Sequence, residues 1–410
     1  MRRLALVVTI GLVAACVPAP SVTATSPSPL ASFIATATPS PPTPSPTESP
    51  GPLNVATAVG TIPRSFHYFS TGQGESFRIL LFDEERAQPP VVVLASGRPP
   101  LPLGPPDVRS EAFTTSADGR VIVLMRRLSE QQTVYYLVRP ETGEVRALLS
   151  GADLGSPVVA PDGQRIAFSR TSDDPALNGL WLFAITAVLL PGTPAPSRLV
   201  TDEAQRVGSP PQPLSWSPDG NWLAISPMLG PGGVEVAVVD PTAGETHFNA
   251  TTNIFEGGRG RVLGSGYAVD WRGGEHDLLI TSSRDAFGGR TYIYTADVAG
   301  GPTRALYAPP ADVTLGPAVW HPSLDRYATM ERPSAGGLSE PTAIWVRRLD
   351  GTATKVAGSA FLSPPWWSRD GTKLFSITGG DDSTGGISNL LGTGGGTAFC
   401  LRGGTPPRCT

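Results

Sequence analysis

The chain has 410 residues, of which 40% are hydrophobic and 16% are charged, so it is long enough and apolar enough to bury a large core. A net charge of −4 provides no basic surface for nucleic acid, and three cysteines are too few for a fold built on disulfides. The 47 glycines and 44 prolines predict many turns and a proline-rich linker.

The N-terminus carries the features of an export signal. Two arginines precede an apolar run, residues 4–13, which is too short for a stable membrane-spanning helix but suits a signal peptide. The small residues before Cys16 resemble a bacterial lipobox, which implies that Cys16 carries lipid and becomes the mature N-terminus. Such a lipid would tether the protein to a membrane. The alternative is an ordinary secretory signal cleaved near Ala15 or Ala19.

Residues 1–16 are therefore interpreted as a lipoprotein signal peptide that ends at the lipidated cysteine, and residues 17–63 as a linker. The linker is rich in Pro, Ser, Thr and Ala, and its only charged residue is Glu48. Such a segment cannot bury enough apolar surface to offset the entropy of ordering, so we expect a disordered, semi-extended spacer. The spacer would hold the following domain, residues 64–410, away from the membrane.

A short motif recurs along this domain. In residues 214–225, two β-prone runs flank a turn in which Pro218 presets φ and Gly220 supplies the positive φ of a tight hairpin. Similar segments recur every ~45–55 residues, which is near the period of four-stranded propeller blades. The turn residues of the four clearest copies are Asp118, Gly119, Asp162, Gly163, Asp219, Gly220, Asp370 and Gly371.

One column of the aligned copies is bulky, which predicts packing between neighbouring sheets. It contains Thr115, Val159, Trp216, Trp271, Trp320 and Trp367.

The motif resembles the PD40 repeat, the WD40-like unit of TolB-type β-propellers. Residues 217–220, Ser-Pro-Asp-Gly, match that repeat in full, and residues 160–163 are close to it. The copies at residues 116–119 and 368–371 lack the proline, and two further copies lack Asp-Gly. The resemblance extends from about residue 65 to the C-terminus and implies an all-β propeller of four-stranded blades. It says little about function, because propellers include both binding proteins and enzymes.

The strand-like runs predict seven blades, with six and eight as the alternatives, and no long amphipathic helix. The first blade begins near Phe66 with three strands, and its fourth strand comes from residues 55–59 or from the C-terminal end. The fourth blade covers about residues 213–252. The remaining blades cover about residues 112–150, 156–201, 267–308, 317–358 and 365–401.

The loops between the second and third strands are the candidate binding face, because in propellers they edge the mouth of the central channel. Carboxylates in two of these loops would suit Ca²⁺. Solvated loop acids are the simpler interpretation, and neither a metal nor a cofactor is predicted. The candidate binding-face residues are Arg126, Arg127, Asp173, Asp174, Arg284, Asp285, Arg332, Asp381 and Asp382.

Motifs for catalysis are missing from the sequence. Each turn aspartate belongs to its own blade, so these acids cannot converge on one ion. The four histidines lie in different blades, and no Gly-x-Ser-x-Gly elbow, His-Glu-x-x-His motif or phosphate loop occurs. Cys400 and Cys409 are close in sequence, which in an exported protein predicts a disulfide.

These features predict a monomeric, membrane-anchored extracytoplasmic lipoprotein whose TolB-like propeller is a non-catalytic binding platform for another envelope protein. One alternative is a propeller enzyme, a hydrolase or lyase acting on a carbohydrate or lactone, and another is a small-ligand sensor. Both alternatives would use the channel mouth. TolB itself carries an N-terminal α/β domain where this chain has its linker, so a role in the Tol system is not implied.

Overall fold

Antiparallel β-sheet dominates the computed structural model of the chain. No helix in the described ranges is long and apolar enough to cross a membrane. The structure describes residues 58–71, 77–86, 90–95, 111–129, 132–172, 174, 176–185, 196–202, 210–229, 233–249, 254–257, 259–273, 276–282, 291–334, 342–359, 364–378, 389–394 and 397–401.

The sheets follow one another along the chain, and each is built mainly from sequential antiparallel strands. The first sheet consists of β1 (Phe66–Thr71), β2 (Arg78–Asp83) and β3 (Val91–Ala95). The second consists of β4 (Glu111–Thr115), β5 (Ile122–Ser129), β6 (Gln132–Arg139) and β7 (Glu144–Gly151). The third contains β8 (Val158–Val159), β9 (Arg165–Arg170), β10 (Gly179–Ala184) and β11 (Ser197–Asp202).

The fourth sheet has an interrupted path. Its strands are β12 (Gln212–Trp216), β13 (Leu223–Ser226), the short β14 (Met228–Leu229), β15 (Gly233–Val239) and β18 (Gly260–Ser265). Between β15 and β18 the chain forms a hairpin of β16 (Thr246–Asn249) and β17 (Ile254–Glu256). Strand β16 pairs in parallel with β11, so the hairpin extends the third sheet to six strands.

This hairpin corrects the predicted end of the fourth blade near Thr252. The fourth strand of that blade is β18, which pairs antiparallel with β15. The hairpin joins the third sheet instead because Phe248, which is 1% exposed, packs with Leu199 and Val200 in the core of that sheet.

The last three sheets are simple four-stranded meanders. The fifth consists of β19 (Ala268–Trp271), β20 (Asp277–Thr281), β21 (Ile293–Asp297) and β22 (Arg304–Tyr307). The sixth consists of β23 (Val313–Trp320), β24 (Arg326–Pro333), β25 (Thr342–Arg348) and β26 (Ala353–Ser359). The seventh consists of β27 (Trp366–Trp367), β28 (Lys373–Thr378), β29 (Asn389–Gly394) and β30 (Thr397–Leu401).

The hydrophobic core lies between neighbouring sheets. Side chains alternate along a strand, so Ile122 and Leu124 of β5 pack towards the first sheet, whereas Val123 packs towards the third. Trp216 from the bulky column packs against Ala160 of the preceding sheet. Because each such sheet is covered on both faces, its strands are apolar at successive positions rather than at alternate ones. This side-by-side packing of sheets is that of a β-propeller.

The first strands of six sheets lie next to one another in the order β4, β8, β12, β19, β23 and β27. Each of these sheets contains the four antiparallel strands of a complete blade, whereas the first sheet has three strands in the described part of the chain. The leading prediction of seven four-stranded blades is therefore wrong in its count, and the alternative of six agrees with the six complete blades among the described residues.

Within the described residues, the first sheet has no strand at the innermost position of a blade. Strand β1 begins beside the turn of the second sheet, where the Tyr68 hydroxyl donates to the Gly119 carbonyl at 3.0 Å. Strand β4 ends at that turn, so β1 runs in the opposite direction to a first strand and corresponds to a second one. Residues 58–59 do not complete the sheet, because the Val59 N–H donates to the Pro140 carbonyl at the β6–β7 turn, 3.0 Å away. The C-terminal alternative lies outside the described residues.

Candidate functional site

The recurring turns share one hydrogen-bond pattern, which explains their sequence. In the fourth sheet the buried Ser217 hydroxyl donates to Asp219 and accepts from the Trp222 N–H at 2.9 Å. The Asp219 carboxylate also accepts from the Asn221 N–H at 3.1 Å. Gly220 closes the turn with a φ of 73°. Burial works against ionisation of Asp219, but the bonds from Ser217, His276 and Asn221 prevail and lower its pKa.

The same pattern recurs in the second and last sheets. Ser116 and Ser368 each donate to the turn aspartate two residues later at 2.6 Å. In the third sheet Ala160 replaces the serine, and Asp162 still accepts from the Gln164 N–H at 2.9 Å. The φ angles of Gly119, Gly163 and Gly371 are 72°, 69° and 71°. Each turn aspartate therefore stabilises the hairpin of its own sheet.

A buried carboxylate joins the first sheet to the last one. Glu84 follows β2 and is 4% exposed. It accepts from the Trp366 indole N–H at 3.0 Å, from the Arg369 N–H at 3.4 Å and from the Ser65 hydroxyl. The Lys373 ammonium donates to the Glu84 carbonyl oxygen at 3.0 Å. These bonds form the polar part of the seam between the N-terminal and C-terminal sheets.

Aromatic packing forms the rest of the seam. The His67 imidazole stacks on the Trp366 ring with 3.9 Å between ring centroids, and Trp366 in turn stacks on Phe375 at 5.4 Å. Phe82 contacts Phe375 edge-on at 5.3 Å. Desolvation in this stack lowers the pKa of His67 to about 4, so its ring is neutral at pH 7.

A cleft of about 700 Å³ opens at the position of the missing innermost strand. One wall is β1, and the flanking walls are the first strands of the second and last sheets, β4 and β27. The cleft has an aromatic lining with two cations, Arg64 and Arg369, at the end where the turns lie. The aromatic lining residues are Phe66, His67, Tyr68, Phe113, Trp366 and Trp367. A concave, aromatic and cationic surface of this size can bind an extended chain or a large ligand.

Four of the predicted binding-face residues are described, and they lie at the opposite ends of the strands, away from this cleft. Arg126 is a buried residue of β5, and its guanidinium lies 3.2 Å from the Glu111 carboxylate. Arg127 is partly exposed, and Arg332 is exposed at the end of β24. Asp174 is exposed and accepts from the Ala176 N–H at 2.9 Å, within its own loop. The structure does not bring these four side chains together into one described pocket.

The other predicted site residues lie outside the described part of the chain. Of Cys400, the structure describes only the backbone, within β30. The lipid attachment at Cys16 and the disulfide therefore stay predictions. The predicted residues outside the description are Cys16, Asp173, Arg284, Asp285, Asp381, Asp382 and Cys409.

Sequence reasoning missed the cleft because its residues come from distant segments. Glu84 and Trp366 are 282 positions apart, and no local pattern connects them. Two signals were available, namely the aromatic run at residues 66–69 and the Trp366–Trp367 pair. Within the described ranges, no three His, Cys, Asp or Glu side chains are grouped closely enough to hold a metal ion.

No protein-family model and no curated protein matches the sequence. Among solved structures, a prolyl endopeptidase is similar to this chain with a TM-score of 0.54 and 13% sequence identity. The match covers 85% of this chain and 49% of the endopeptidase, so the chain spans about half the length of that enzyme.

Two further similarities have lower TM-scores. An oligogalacturonate lyase in complex with manganese has a TM-score of 0.47 and 12% identity, and the match covers 86% of each chain. TolB from Acinetobacter baumannii has a TM-score of 0.39 and 14% identity, and the match covers 82% of this chain and 76% of TolB. At these identities a structural likeness shows the fold alone. The chain is a β-propeller whose structural neighbours include TolB and other propeller proteins.

Proposed function

We propose that this protein is a monomeric extracytoplasmic lipoprotein whose propeller is a non-catalytic platform for another envelope protein. In this proposal the cleft at the first sheet is the binding site. The observation that carries it is the open innermost position, where about 700 Å³ is lined by aromatic side chains and two arginines. Aromatic and arginine side chains are the groups most enriched at the centres of protein interfaces.

The anchor and spacer come from the sequence. Lipid on Cys16 would place the protein at a membrane surface, and residues 17–63 would extend the platform away from it. The variant Cys16→Ser should not be labelled metabolically with radioactive palmitate, and it should be released from the membrane fraction. Continued labelling of Cys16→Ser would contradict the anchor.

Cross-linking in the envelope tests the platform. The full chain is cross-linked mildly in envelope extract, and its partners are compared among the wild type and two double variants. The cleft variant combines Arg64→Ala with Arg369→Ala, and the matched control on the predicted binding face combines Arg127→Ala with Arg332→Ala. We expect a partner that the cleft variant loses and the control keeps. A partner lost only by the control would refute the cleft as the site, and the absence of any partner would refute the platform.

A further inference from the structure

Among the described residues, the inner edge of β1 is an unpaired strand edge that faces the cleft. Strand β1 pairs with β2 on one side, and no described strand pairs with its other side. Six other sheets carry a first strand at that position. Unpaired N–H and C=O groups along a strand edge are a template for the addition of an extended segment.

We propose that the cleft receives an extended segment of a partner protein as the innermost strand of the first sheet. This inference rests on the proposed function and specifies the partner. The segment carries Ser, Thr or Asp immediately before an aromatic residue. Two regularities, each present at two of the five other junctions between sheets, define this chemistry.

The first regularity is a side-chain acceptor for a backbone N–H of the following sheet. Thr114 accepts from the Val159 N–H at 3.2 Å, and Asp270 accepts from the Trp320 N–H at 2.6 Å. Thr115 occupies the corresponding position in the second sheet and lines the cleft. No acceptor for its N–H is found in the part of the chain that the structure describes. An incoming strand would provide one from Ser, Thr or Asp.

The second regularity is a cation–π contact between a tryptophan ring and the guanidinium of an arginine in the preceding sheet. The Arg165 guanidinium lies 5.1 Å from the Trp216 ring centroid, and that of Arg272 lies 5.7 Å from the ring of Trp320. The last sheet precedes the first one around the propeller, and its Arg369 lines the cleft. An aromatic residue in the incoming strand would stack against this arginine.

The acceptor and the aromatic residue are consecutive in one of the chain's own strands. Asp270-Trp271 is such a pair at the end of β19, whereas in Ser215-Trp216 the serine accepts from the Trp271 indole N–H at 2.7 Å rather than from a backbone N–H. The chain's own residues 402–410 fit this role poorly, since they contain no aromatic residue and include Pro406-Pro407. Proline has no N–H to donate to a β-ladder. The proposed occupant is therefore a segment of another protein rather than residues 402–410.

A peptide copied from the fifth sheet provides a defined probe. It has the sequence of residues 264–271, Gly-Ser-Gly-Tyr-Ala-Val-Asp-Trp, and a fluorophore at its N-terminus. Binding to the full chain is followed by fluorescence anisotropy. We expect saturable binding that weakens about tenfold when alanine replaces the tryptophan. Methylation of alternate peptide nitrogens, which removes donors to β1, should weaken binding to a similar extent.

Chain variants then locate the probe. Arg369→Ala should weaken binding about threefold, because it removes the stacking cation. Arg304→Ala is the matched control, since Arg304 is exposed on β22, and it should leave binding unchanged. Circular dichroism of Arg369→Ala shows whether its fold is intact. The changes within the peptide do not depend on folding of any variant.

The possible outcomes separate this inference from the proposed function. Equal binding of the N-methylated and the unmodified peptide would contradict strand addition. A probe that fails to bind, while the Arg64→Ala and Arg369→Ala chain still loses its envelope partner, would overturn this inference and leave the platform standing. Probe binding only after truncation beyond Leu401 would identify the chain's own tail as the occupant and would also overturn it. Failure of both experiments would remove the platform as well.

Discussion

Gly119 and Gly220 stand at the same position of two turns and have nearly equal φ angles of 72° and 73°. They differ in what a methyl group would contact. A Cβ on Gly119 would lie 2.5 Å from the ring of Phe66, whereas a Cβ on Gly220 would lie no closer than 3.8 Å, to Arg165. We expect Gly220→Ala to lose about 1 kcal/mol of unfolding free energy from the left-handed backbone. Gly119→Ala should lose a further ~1–3 kcal/mol from the steric clash.

Urea unfolding of the two variants, followed by tryptophan fluorescence, measures this difference. Since the backbone strain is common to both substitutions, it cancels in the comparison. Equal destabilisation would show that Phe66 moves aside without cost and that the first sheet is loosely held at this turn.

His67 provides a pH-dependent contribution to stability. Its pKa is about 4 in the folded chain and 6.5 when unperturbed, so the unfolded state takes up the proton first as pH falls. The contribution is complete above pH 6.5 and is lost as the pH falls towards 4. In His67→Phe the ring remains but does not titrate. We expect the unfolding free energy of the wild type to fall more steeply than that of His67→Phe between pH 6.5 and 4.5, in urea titrations at several pH values. Parallel pH profiles would contradict a desolvated imidazole.

At the scale of strands, Asp270 connects β19 to β23 through its bond from the Trp320 N–H. Desolvation raises the pKa of Asp270 to about 6, although the bonds from the Trp320 and Trp271 N–H groups oppose this shift. A raised pKa in the folded state means that folding favours the protonated acid. The contribution of Asp270 to the unfolding free energy is therefore fully present below the unperturbed pKa of 3.8 and is lost as pH rises through 6.

Asp270→Asn removes this titration and keeps an oxygen for the Trp320 N–H. We expect the variant to gain stability relative to the wild type as pH rises from 5 to 8, measured by thermal unfolding. Asp270→Ala, which also removes the titration but leaves that N–H without its acceptor, is the control and should be less stable than Asp270→Asn at every pH. An Asn variant whose stability follows the wild type across the whole range would refute a raised pKa.

Local elements could be predicted from the sequence, whereas pairings between distant segments could not. The hairpin around Asp219 and Gly220 depends on hydrogen bonds within six residues, so the motif alone identifies it. The β16–β17 hairpin depends on parallel pairing between Thr246 and Val200, which no local pattern specifies. The cleft depends on a strand direction: Phe66 begins a second strand rather than a first one. That direction follows from contact with Gly119, and the sequence does not encode it locally.

At the scale of the whole molecule, the seam between the first and last sheets is where the ring of sheets closes. Glu84 accepts buried donors there from Trp366 and Ser65. Glu84→Ala would leave these donors without an acceptor, at a cost of about 1–3 kcal/mol for each buried donor. We therefore expect hydrogen exchange to accelerate in β1, β2 and β27, and to stay unchanged in β12 and β13.

Glu85→Ala is the matched control for this experiment, because Glu85 is the exposed neighbour of Glu84. It should leave exchange unchanged throughout. Uniform acceleration in Glu84→Ala across all sheets would mean that the propeller opens as one unit and has no preferred point of opening.

The hairpin of β16 and β17 limits how this family of repeats can gain or lose a unit. It is encoded between the third and fourth strands of one blade, but it covers the outer edge of the preceding blade. A genetic deletion of residues 212–265 would therefore remove a blade and also expose Leu199 and Val200 of its neighbour. Unequal recombination, which readily changes the number of identical repeats, would have to add or remove these two blades together.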